Sequence, residues 1–282
     1  MPVVLHLQVS MAMSHRISET PTASLIDRLE RERIHFNKIA ERDLSRDLEM
    51  PIWNIRRYDK PAESTPFPLE YAFHLLGELR GTTVVDLGCG EGLNTVILAS
   101  LGARVLSVDI SDKSLELTGK RAHANGVREN VTLVHSDAAT IPVHDGTADR
   151  VLCAAILHHV DCVATAKQIR RILKPGGTAV FLEPIEGPKW LSSLKSFVPR
   201  QADVTDDEQP LTMQQVRDVS AAIGIEGRSR PFLVVTRLLQ RLHVRSFDVI
   251  KTMHQLDAAL LRYGVLHQSL ASPLVWEARK NK

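Results

Sequence analysis

The sequence is poor in cysteine and in aromatic residues, and it has no excess of one charge. Only three cysteines occur among 282 residues, and no two form a C-x-x-C pair, so neither a disulfide framework nor a zinc or dithiol site is predicted. Aromatic residues make up 5% and the formal net charge is +2. A balance so close to neutrality argues against a chain whose main role is to coat nucleic acid or an anionic membrane. These absences predict a reduced, cytoplasmic globular protein.

Long apolar segments are also missing. No run approaches the roughly 18 consecutive apolar residues that a membrane-spanning helix needs, so no membrane partner is expected. Residues 1–13 are apolar, but His6 and Gln8 interrupt them and no positive charge precedes them. That pattern is untypical of a secretory signal. We expect this stretch to be a disordered tail.

The charged residues that are present are unevenly distributed along the chain. Residues 14–80 are charge-rich and contain two predicted helices, 23–40 and 69–79, which a proline-rich segment separates. We predict that these residues form an N-terminal helical cap. Residues 81–282 are predicted to form the main domain, with a helical insertion at about 236–268.

Short β-rich apolar runs alternate with helical patterns from residue 82 to residue 183. The predicted strands are 83–87, 104–108, 131–135, 148–153 and 178–182, and the helices between them are 93–101, 113–125 and 163–173. Such alternation indicates βαβ units, and therefore an α/β fold in which a parallel sheet carries helices on both faces. In the last third we predict a helix at 212–223, a strand near Phe232 and a final strand at 273–279.

The sharpest pattern is Val-Val-Asp-Leu-Gly-Cys-Gly-Glu-Gly at residues 84–92. Its G-x-G spacing at the end of the first strand predicts a tight turn at Gly88 and Gly90 that brings bare backbone against a ligand. The N–H group of Cys89 is part of that expectation. Dinucleotide sites use G-x-G-x-x-G instead, and Asp86 here would repel a pyrophosphate but suit a cationic group. Any tight strand-to-helix turn would also explain the two glycines.

Two further acids follow strands that end at the same edge of the sheet. Asp109, followed by Ile110, ends the second strand, where a carboxylate accepts both hydroxyls of a ribose. Asp137, between Ser136 and Ala138, follows the third strand, where a carboxylate accepts from an adenine amino group. A helix cap at Asp109 and a solvated loop acid at Asp137 are the plainer alternatives, and a nicotinamide dinucleotide remains a possible ligand.

These motifs, in this order, resemble those of the class I S-adenosylmethionine-dependent methyltransferases. The resemblance extends over residues 82–183 and includes the Leu-Lys-Pro-Gly-Gly turn at 173–177. It implies a Rossmann-like, doubly wound sheet of seven mostly parallel strands in the order 3-2-1-4-5-7-6, with strand 7 antiparallel.

The resemblance also implies that S-adenosylmethionine is the cofactor and S-adenosylhomocysteine the product. It places the methionine moiety at the glycine motif, the ribose at the second acid and the adenine at the third. The implied cofactor-binding residues are Asp86, Gly88, Cys89, Gly90, Asp109, Ile110, Ser136, Asp137 and Ala138.

Residues 155–160, Ala-Ile-Leu-His-His-Val, contain the candidates for proton transfer. A histidine at this edge of the sheet titrates near neutrality, so His159 and its neighbour His158 are candidate catalytic residues. The segment resembles the E-x-x-E-H stretch of ubiquinone-type O-methyltransferases, where the two acids are associated with a divalent metal. Ala155 and His158 replace those acids here, so we predict no metal. A supporting or packing role for His159 is the alternative.

The candidates for acceptor binding lie on both sides of the predicted cofactor site. Trp53 and Tyr58 belong to the N-terminal segment, and Glu183 ends the fifth strand. Plainer roles are core or cap packing for the two aromatic residues and loop shaping for Glu183 and the proline after it. The basic residues between 237 and 262 suggest either a solvated helix face or contact with RNA or an acidic partner.

The sequence therefore predicts a methyltransferase acting on a small metabolite or natural product, at oxygen in the first instance. No Asn/Asp-Pro-Pro-Tyr/Phe motif follows the fourth strand, so methylation of nucleic-acid bases is not expected. The alternatives are an RNA methyltransferase, a nicotinamide-dependent dehydrogenase and a non-catalytic, cofactor-binding regulatory partner. The oligomeric state is open, a homodimer being one option.

Overall fold

The computed structural model describes residues 23–44, 47–187, 209–232, 247–262 and 271–282. At its centre is a seven-stranded sheet in the order β3-β2-β1-β4-β5-β7-β6. The strands are β1 Thr83–Leu87, β2 Arg104–Asp109, β3 Val131–His135, β4 Ala148–Ala154, β5 Leu173–Glu183, β6 Ile225–Pro231 and β7 Leu274–Arg279. Strand β7 runs antiparallel to β5 and β6, and the other neighbours are parallel. The predicted fold class and strand order are confirmed.

Helices flank the sheet, and three of the described ones begin after a residue whose side chain caps them. They are α1 Ala23–Asp43, α2 Ile52–Arg56, α3 Pro68–Leu76, α4 Leu93–Ser100, α5 Asp112–Ala124, α6 Cys162–Ile172, α7 Met213–Ile223 and α8 Phe247–Arg262. The side chain of Ser111 caps α5, that of Asp161 caps α6, and Thr212 forms a capping box with Gln215 at α7. Each such cap satisfies backbone N–H groups that the first helical turn leaves without partners.

Both faces of the sheet are covered, which explains the nearly continuous apolar strands. Successive strand residues point to opposite faces. In β4 and β5, Val151 and Phe181 belong to the core beneath α6 and α7, whereas Leu152 and Val180 belong to the core beneath α3, α4 and α5. A strand buried on both faces needs apolar side chains at every position.

Two helices of the chain before β1 pack against the sheet domain. Helix α1 packs along α5, where the Ser111 hydroxyl donates to Asn37 Oδ1 at 2.6 Å. Helix α3 instead packs against β5 and β7 and contributes Tyr71 and Phe73 to the core. The predicted division into a cap at 14–80 and a main domain at 81–282 stays a prediction.

Two strands differ from their predicted positions. The predicted strand near Phe232 is β6, which occupies Ile225–Pro231 and ends directly before Phe232. Strand β6 is an edge strand that pairs only with β7, and most of its residues are exposed, so no apolar run marks it. Strand β5 begins at Leu173 because Leu173 pairs with Ala148, ahead of a register shift in the ladder.

Some predicted features lie outside the described residues. These are the tail at 1–13 and most of the predicted insertion at 236–268, of which the described part is α8. None of the helices that the described residues form combines the length and apolar character needed to cross a bilayer.

A stacked aromatic pair holds β5 to β7. The rings of Phe181 and Trp276 lie 4.7 Å apart at 18°, and both side chains are fully buried. We expect Trp276→Ala to lower the free energy of unfolding by about 3–5 kcal/mol, because it leaves a large cavity in the core. The matched control is Trp53→Ala. Because Trp53 is 62% exposed, this substitution should lower the free energy of unfolding by less than about 0.5 kcal/mol. Urea denaturation measures both, and equal losses would contradict this prediction.

Candidate functional site

A cavity of about 780 Å³ lies at the carboxyl ends of the parallel strands, the edge at which open α/β sheets bind ligands. From the sheet edge it is lined by residues 87–91, 108–110, 136–138, 154–156, His159 and Val160. Helix α1 also lines the cavity, with Glu32, Phe36, Ile39, Ala40 and Arg42, and β5 contributes Leu182. Residues at the ends of five strands and residues of the N-terminal helix thus line one cavity.

The glycine turn after β1 is shaped by close packing on one side and open space on the other. Gly88 and Gly90 both have positive φ, +70° and +49°. A Cβ at Gly88 would lie 2.4 Å from the side chain of Ile156, whereas a Cβ at Gly90 would meet no protein atom within 4 Å. Because Gly90 lines the cavity, its missing side chain leaves room for a ligand to approach the backbone.

The N–H groups of this turn are hydrogen-bonded within the protein. Gly88 and Cys89 both donate to the carbonyl of Val108, at 2.8 and 3.1 Å. Gly90 donates to Asp109 Oδ2 at 2.9 Å. The N–H of Cys89 thus helps to fold the turn onto β2, and its contact with a ligand stays a prediction.

The side chain of Cys89 is buried. Burial raises the pKa of its thiol well above the ordinary value, and Sγ contacts Thr118 Oγ1 at 3.5 Å. Since the thiolate is the reactive form of cysteine, Cys89 acts as a small residue in the turn.

Asp86 lies behind the glycine turn and not on the cavity wall. Its carboxylate accepts from Thr95 Oγ1 at 2.6 Å, and that hydroxyl is 2.9 Å from Ser107 Oγ. Asp86 is 1% exposed, and burial raises its pKa to about 7. The side chain thus connects β1 to α4 and β2 beneath the ligand-facing surface.

Asp109 lines the cavity and organises the loops around it. Oδ1 accepts from the N–H of Ser111 and Oδ2 from that of Gly90, each at 2.9 Å. Burial raises the pKa of Asp109, although these backbone donors act in the opposite direction. Each carboxylate oxygen accepts more than one hydrogen bond, so two hydroxyl groups of a ligand can still bind.

The loop after β3 continues this wall. Ser136, Asp137 and Ala138 all line the cavity, as does Ile110 after β2. Asp137 Oδ1 accepts from the N–H of Ala139 at 3.2 Å, while the Ser136 hydroxyl donates to the carbonyls of Asp137 and Thr140. These bonds fix the loop beside the predicted adenine position.

Glu183 anchors the loop after β4 and does not line the cavity. This fully buried carboxylate accepts from the N–H groups of Ile156 and Leu157, and His158 Nδ1 lies 2.8 Å from its second oxygen. Ala155, with φ +58°, makes the sharp turn that allows these contacts. Both of its oxygens face the loop, and a contact of Glu183 with the acceptor stays a prediction.

The two histidines have different partners, and they differ in whether they line the cavity. His158 is held by Glu183 and does not line the cavity, whereas His159 does. His159 Nδ1 lies 3.2 Å from a carboxylate oxygen of Glu32, and Phe36 packs edge-on against its ring. Of the two candidate catalytic residues, the structure brings only His159 to the cavity.

The two aromatic residues predicted to bind the acceptor also differ in whether they line the cavity. Tyr58 lines the cavity, but Trp53 is largely exposed and does not. The contribution of α1, above all of Glu32 and Phe36, was not predicted from the sequence. No local motif marks these residues, since Glu32 and His159 are 127 positions apart.

Within the part of the chain that the structure describes, no three His, Cys, Asp or Glu side chains form a group able to hold a metal ion. Four such side chains are neighbours, but they form two separate pairs, Glu183 with His158 and Glu32 with His159. The predicted absence of a metal stays a prediction.

Comparison with known proteins supports the resemblance found in the motifs. Residues 85–181 match a family model described as a methyltransferase domain. The chain is 30% identical over 158 residues to the ubiquinone biosynthesis O-methyltransferase of Bordetella avium, covering 53% of this chain and 63% of the relative. It is 38% identical over 112 residues to the demethylmenaquinone methyltransferase of Staphylococcus aureus, covering 38% and 45%. The chain thus spans about half of the length of these relatives.

The fold is also found in solved structures. A geranyl diphosphate C-methyltransferase from Streptomyces coelicolor, in complex with Mg²⁺, geranyl diphosphate and S-adenosyl-L-homocysteine, superposes with a TM-score of 0.56. The two chains are 17% identical, and the match covers 75% of this chain and 76% of that one. The predicted resemblance to class I S-adenosylmethionine-dependent methyltransferases is confirmed for the domain and its fold.

The buried Asp86 carboxyl group makes the free energy of unfolding depend on pH. Its folded pKa of about 7 exceeds the unfolded value near 3.8, so the folded state holds the proton more tightly. Wild-type stability should therefore fall relative to Asp86→Asn as the pH rises from about 4 to about 7, by at most about 1.4 kcal/mol per pH unit. The difference should level off above about pH 8. Urea denaturation of both proteins without ligand measures this, and parallel curves would contradict it.

Proposed function

We propose that this protein is an S-adenosylmethionine-dependent methyltransferase that transfers a methyl group to oxygen on a small, largely apolar molecule. One observation carries the proposal: the glycine turn, Asp109 and His159 line a single cavity of about 780 Å³. The residues proposed to bind the cofactor and the group proposed to accept a proton therefore line the same cavity. The family match and the curated relatives support the same activity.

The residues present fit this cofactor. The Asp109 carboxylate accepts hydrogen bonds from a ribose diol, and residues 136–138 with Ile110 suit the adenine. The open space at Gly90, which a Cβ would fill without meeting protein atoms, admits the methionine moiety close to the backbone. Asp86 supports the turn from behind and supplies negative charge beneath it when ionised, which favours a cationic ligand over a pyrophosphate.

The chemistry divides between cofactor and protein. The cofactor's sulfonium supplies an electrophilic methyl group, so the chain needs only to orient the acceptor, exclude water and remove a proton. His159 is placed for the last task, because Nδ1 faces Glu32 while the residue lines the cavity. The Nε2 nitrogen is then the one available to an acceptor hydroxyl.

The acceptor side of the cavity favours an apolar molecule. Its walls include Phe36, Ile39, Met50, Tyr58 and Leu69, which bury hydrocarbon or ring surface. The two curated relatives carry the names of quinone-pathway methyltransferases. We propose on both grounds that the acceptor is a hydroxylated ring compound with apolar substituents.

Cofactor binding is tested directly by titration calorimetry with S-adenosylhomocysteine. We expect the wild type to bind it, and Asp109→Asn to weaken binding about 10- to 100-fold, because hydrogen bonds to a charged group are lost. Asp112→Asn is the control, since this nearby aspartate is 57% exposed and does not line the cavity. A chain that binds NAD but not S-adenosylhomocysteine would overturn the proposal in favour of a dehydrogenase.

The role of His159 is tested with a panel of catechols and hydroxyquinones, by following release of S-adenosylhomocysteine. We expect His159→Ala to lower turnover about 10²- to 10⁴-fold, the usual contribution of a general base, while the Kd for S-adenosylhomocysteine stays within about twofold. His144→Ala, at an exposed loop histidine, should leave both unchanged. Full turnover by His159→Ala would remove the residue from the mechanism.

A further inference from the structure

We infer that Glu32 of α1 is a positioning residue for His159, so that the base of the proposed reaction is assembled from two distant parts of the chain. The inference rests on the proposed function and adds to it a residue that no sequence motif marks.

The contact between the two side chains is buried and direct. His159 Nδ1 lies 3.3 Å from Glu32 Oε1 and 3.2 Å from Oε2. Glu32 is 7% exposed and His159 9%, so water competes little for either group. Phe36, one turn further along α1, packs edge-on against the imidazole with ring centroids 5.3 Å apart. One face of α1 therefore fixes both the position and the hydrogen bonding of the ring.

The other charged groups near His159 are already assigned to a different task. The ring of His158 lies 4.1 Å from that of His159 between centroids, but its Nδ1 faces Glu183 at 2.8 Å. Glu183 also holds the backbone of the loop through Ile156 and Leu157. The site thus contains two Glu–His couples, of which Glu183–His158 shapes the loop and Glu32–His159 faces the cavity.

This geometry selects the form of His159 that can accept a proton. A carboxylate beside Nδ1 favours the tautomer with the proton on Nδ1, which leaves the lone pair on Nε2. The acceptor hydroxyl then gives its proton to Nε2 while its oxygen bonds to the methyl carbon, and the carbon–sulfur electron pair stays on sulfur. Glu32 stabilises the imidazolium that results.

The position of α1 connects this couple to the cofactor half of the cavity. Asn37, about one turn after Glu32, accepts from the hydroxyl of Ser111 at 2.6 Å. The N–H of that same serine binds Asp109. Glu32 and the expected ribose-binding acid are therefore held relative to each other through a short series of hydrogen bonds.

The experiment compares Glu32→Leu and Glu32→Gln with the wild type and with Glu41→Gln, an exposed acid on the same helix. Nitrogen-15 NMR of histidine-labelled protein reports the tautomer, and loss of signals in His159→Gln assigns them. We expect the Nδ1–H tautomer of His159 in the wild type and in Glu41→Gln, and a shift towards Nε2–H in Glu32→Leu. Turnover on the catechol and hydroxyquinone panel should fall about 10- to 100-fold in Glu32→Leu, with KM and the Kd for S-adenosylhomocysteine within about twofold.

Glu32→Gln separates charge from shape and also covers a folding failure of the leucine variant. Its amide oxygen still accepts from Nδ1–H, so the tautomer should persist while turnover falls about 10-fold, because the charge opposite the imidazolium is lost. An unchanged tautomer in Glu32→Leu, or unchanged turnover in Glu32→Gln, would overturn the inference. Absence of S-adenosylhomocysteine binding in the wild type would instead overturn the proposed function, and the NMR result would still report on the Glu32–His159 contact.

Discussion

The carboxylate of Asp109 connects most of the elements that form the cavity. One oxygen binds the N–H of Gly90 in the turn after β1, and the other binds the N–H of Ser111 at the start of α5. The carbonyl of the same residue accepts from Ser136 in the loop after β3, and Ser111 in turn holds Asn37 of α1. Four segments are therefore aligned on one residue, in addition to any ligand it binds.

Such a centre explains why a buried acid is tolerated here. Removing a carboxylate from water is costly unless hydrogen bonds replace the lost hydration. At Asp109 two backbone N–H groups supply those bonds, whereas at Asp86 the hydroxyl and the backbone of Thr95 supply them, and burial raises the pKa of Asp86 to about 7. The two acids of the cofactor motifs thus differ in kind: Asp109 faces the cavity as a carboxylate held by the backbone, and Asp86 is a support behind it.

The sequence predicted the parts of the structure that local chemistry determines. The glycine turn, the strand-ending acids and the alternating elements follow from patterns within a few residues, as does the helix predicted at 212–223. The edge strand β6 was predicted only as a strand near Phe232, because its mostly exposed residues form no apolar pattern that would mark its bounds. The orientations of Glu183 and Trp53 were equally out of reach, since a sequence gives the position of a side chain along a strand or loop but not the partner it meets. The contact of Glu32 with His159 depends on where α1 packs, which only the assembled fold decides.

The contact between Gly88 and Ile156 has a consequence for how this fold can change over evolution. The isoleucine side chain fills the volume that any Cβ at Gly88 would need, 2.4 Å from its terminal carbon. The turn at Gly88 and the loop that carries the two histidines are therefore tightly packed against each other. Because Gly88 also has a φ of +70° and no residue is smaller than glycine, neither position can accept a bulkier residue at the expense of the other, although they lie 68 positions apart along the chain.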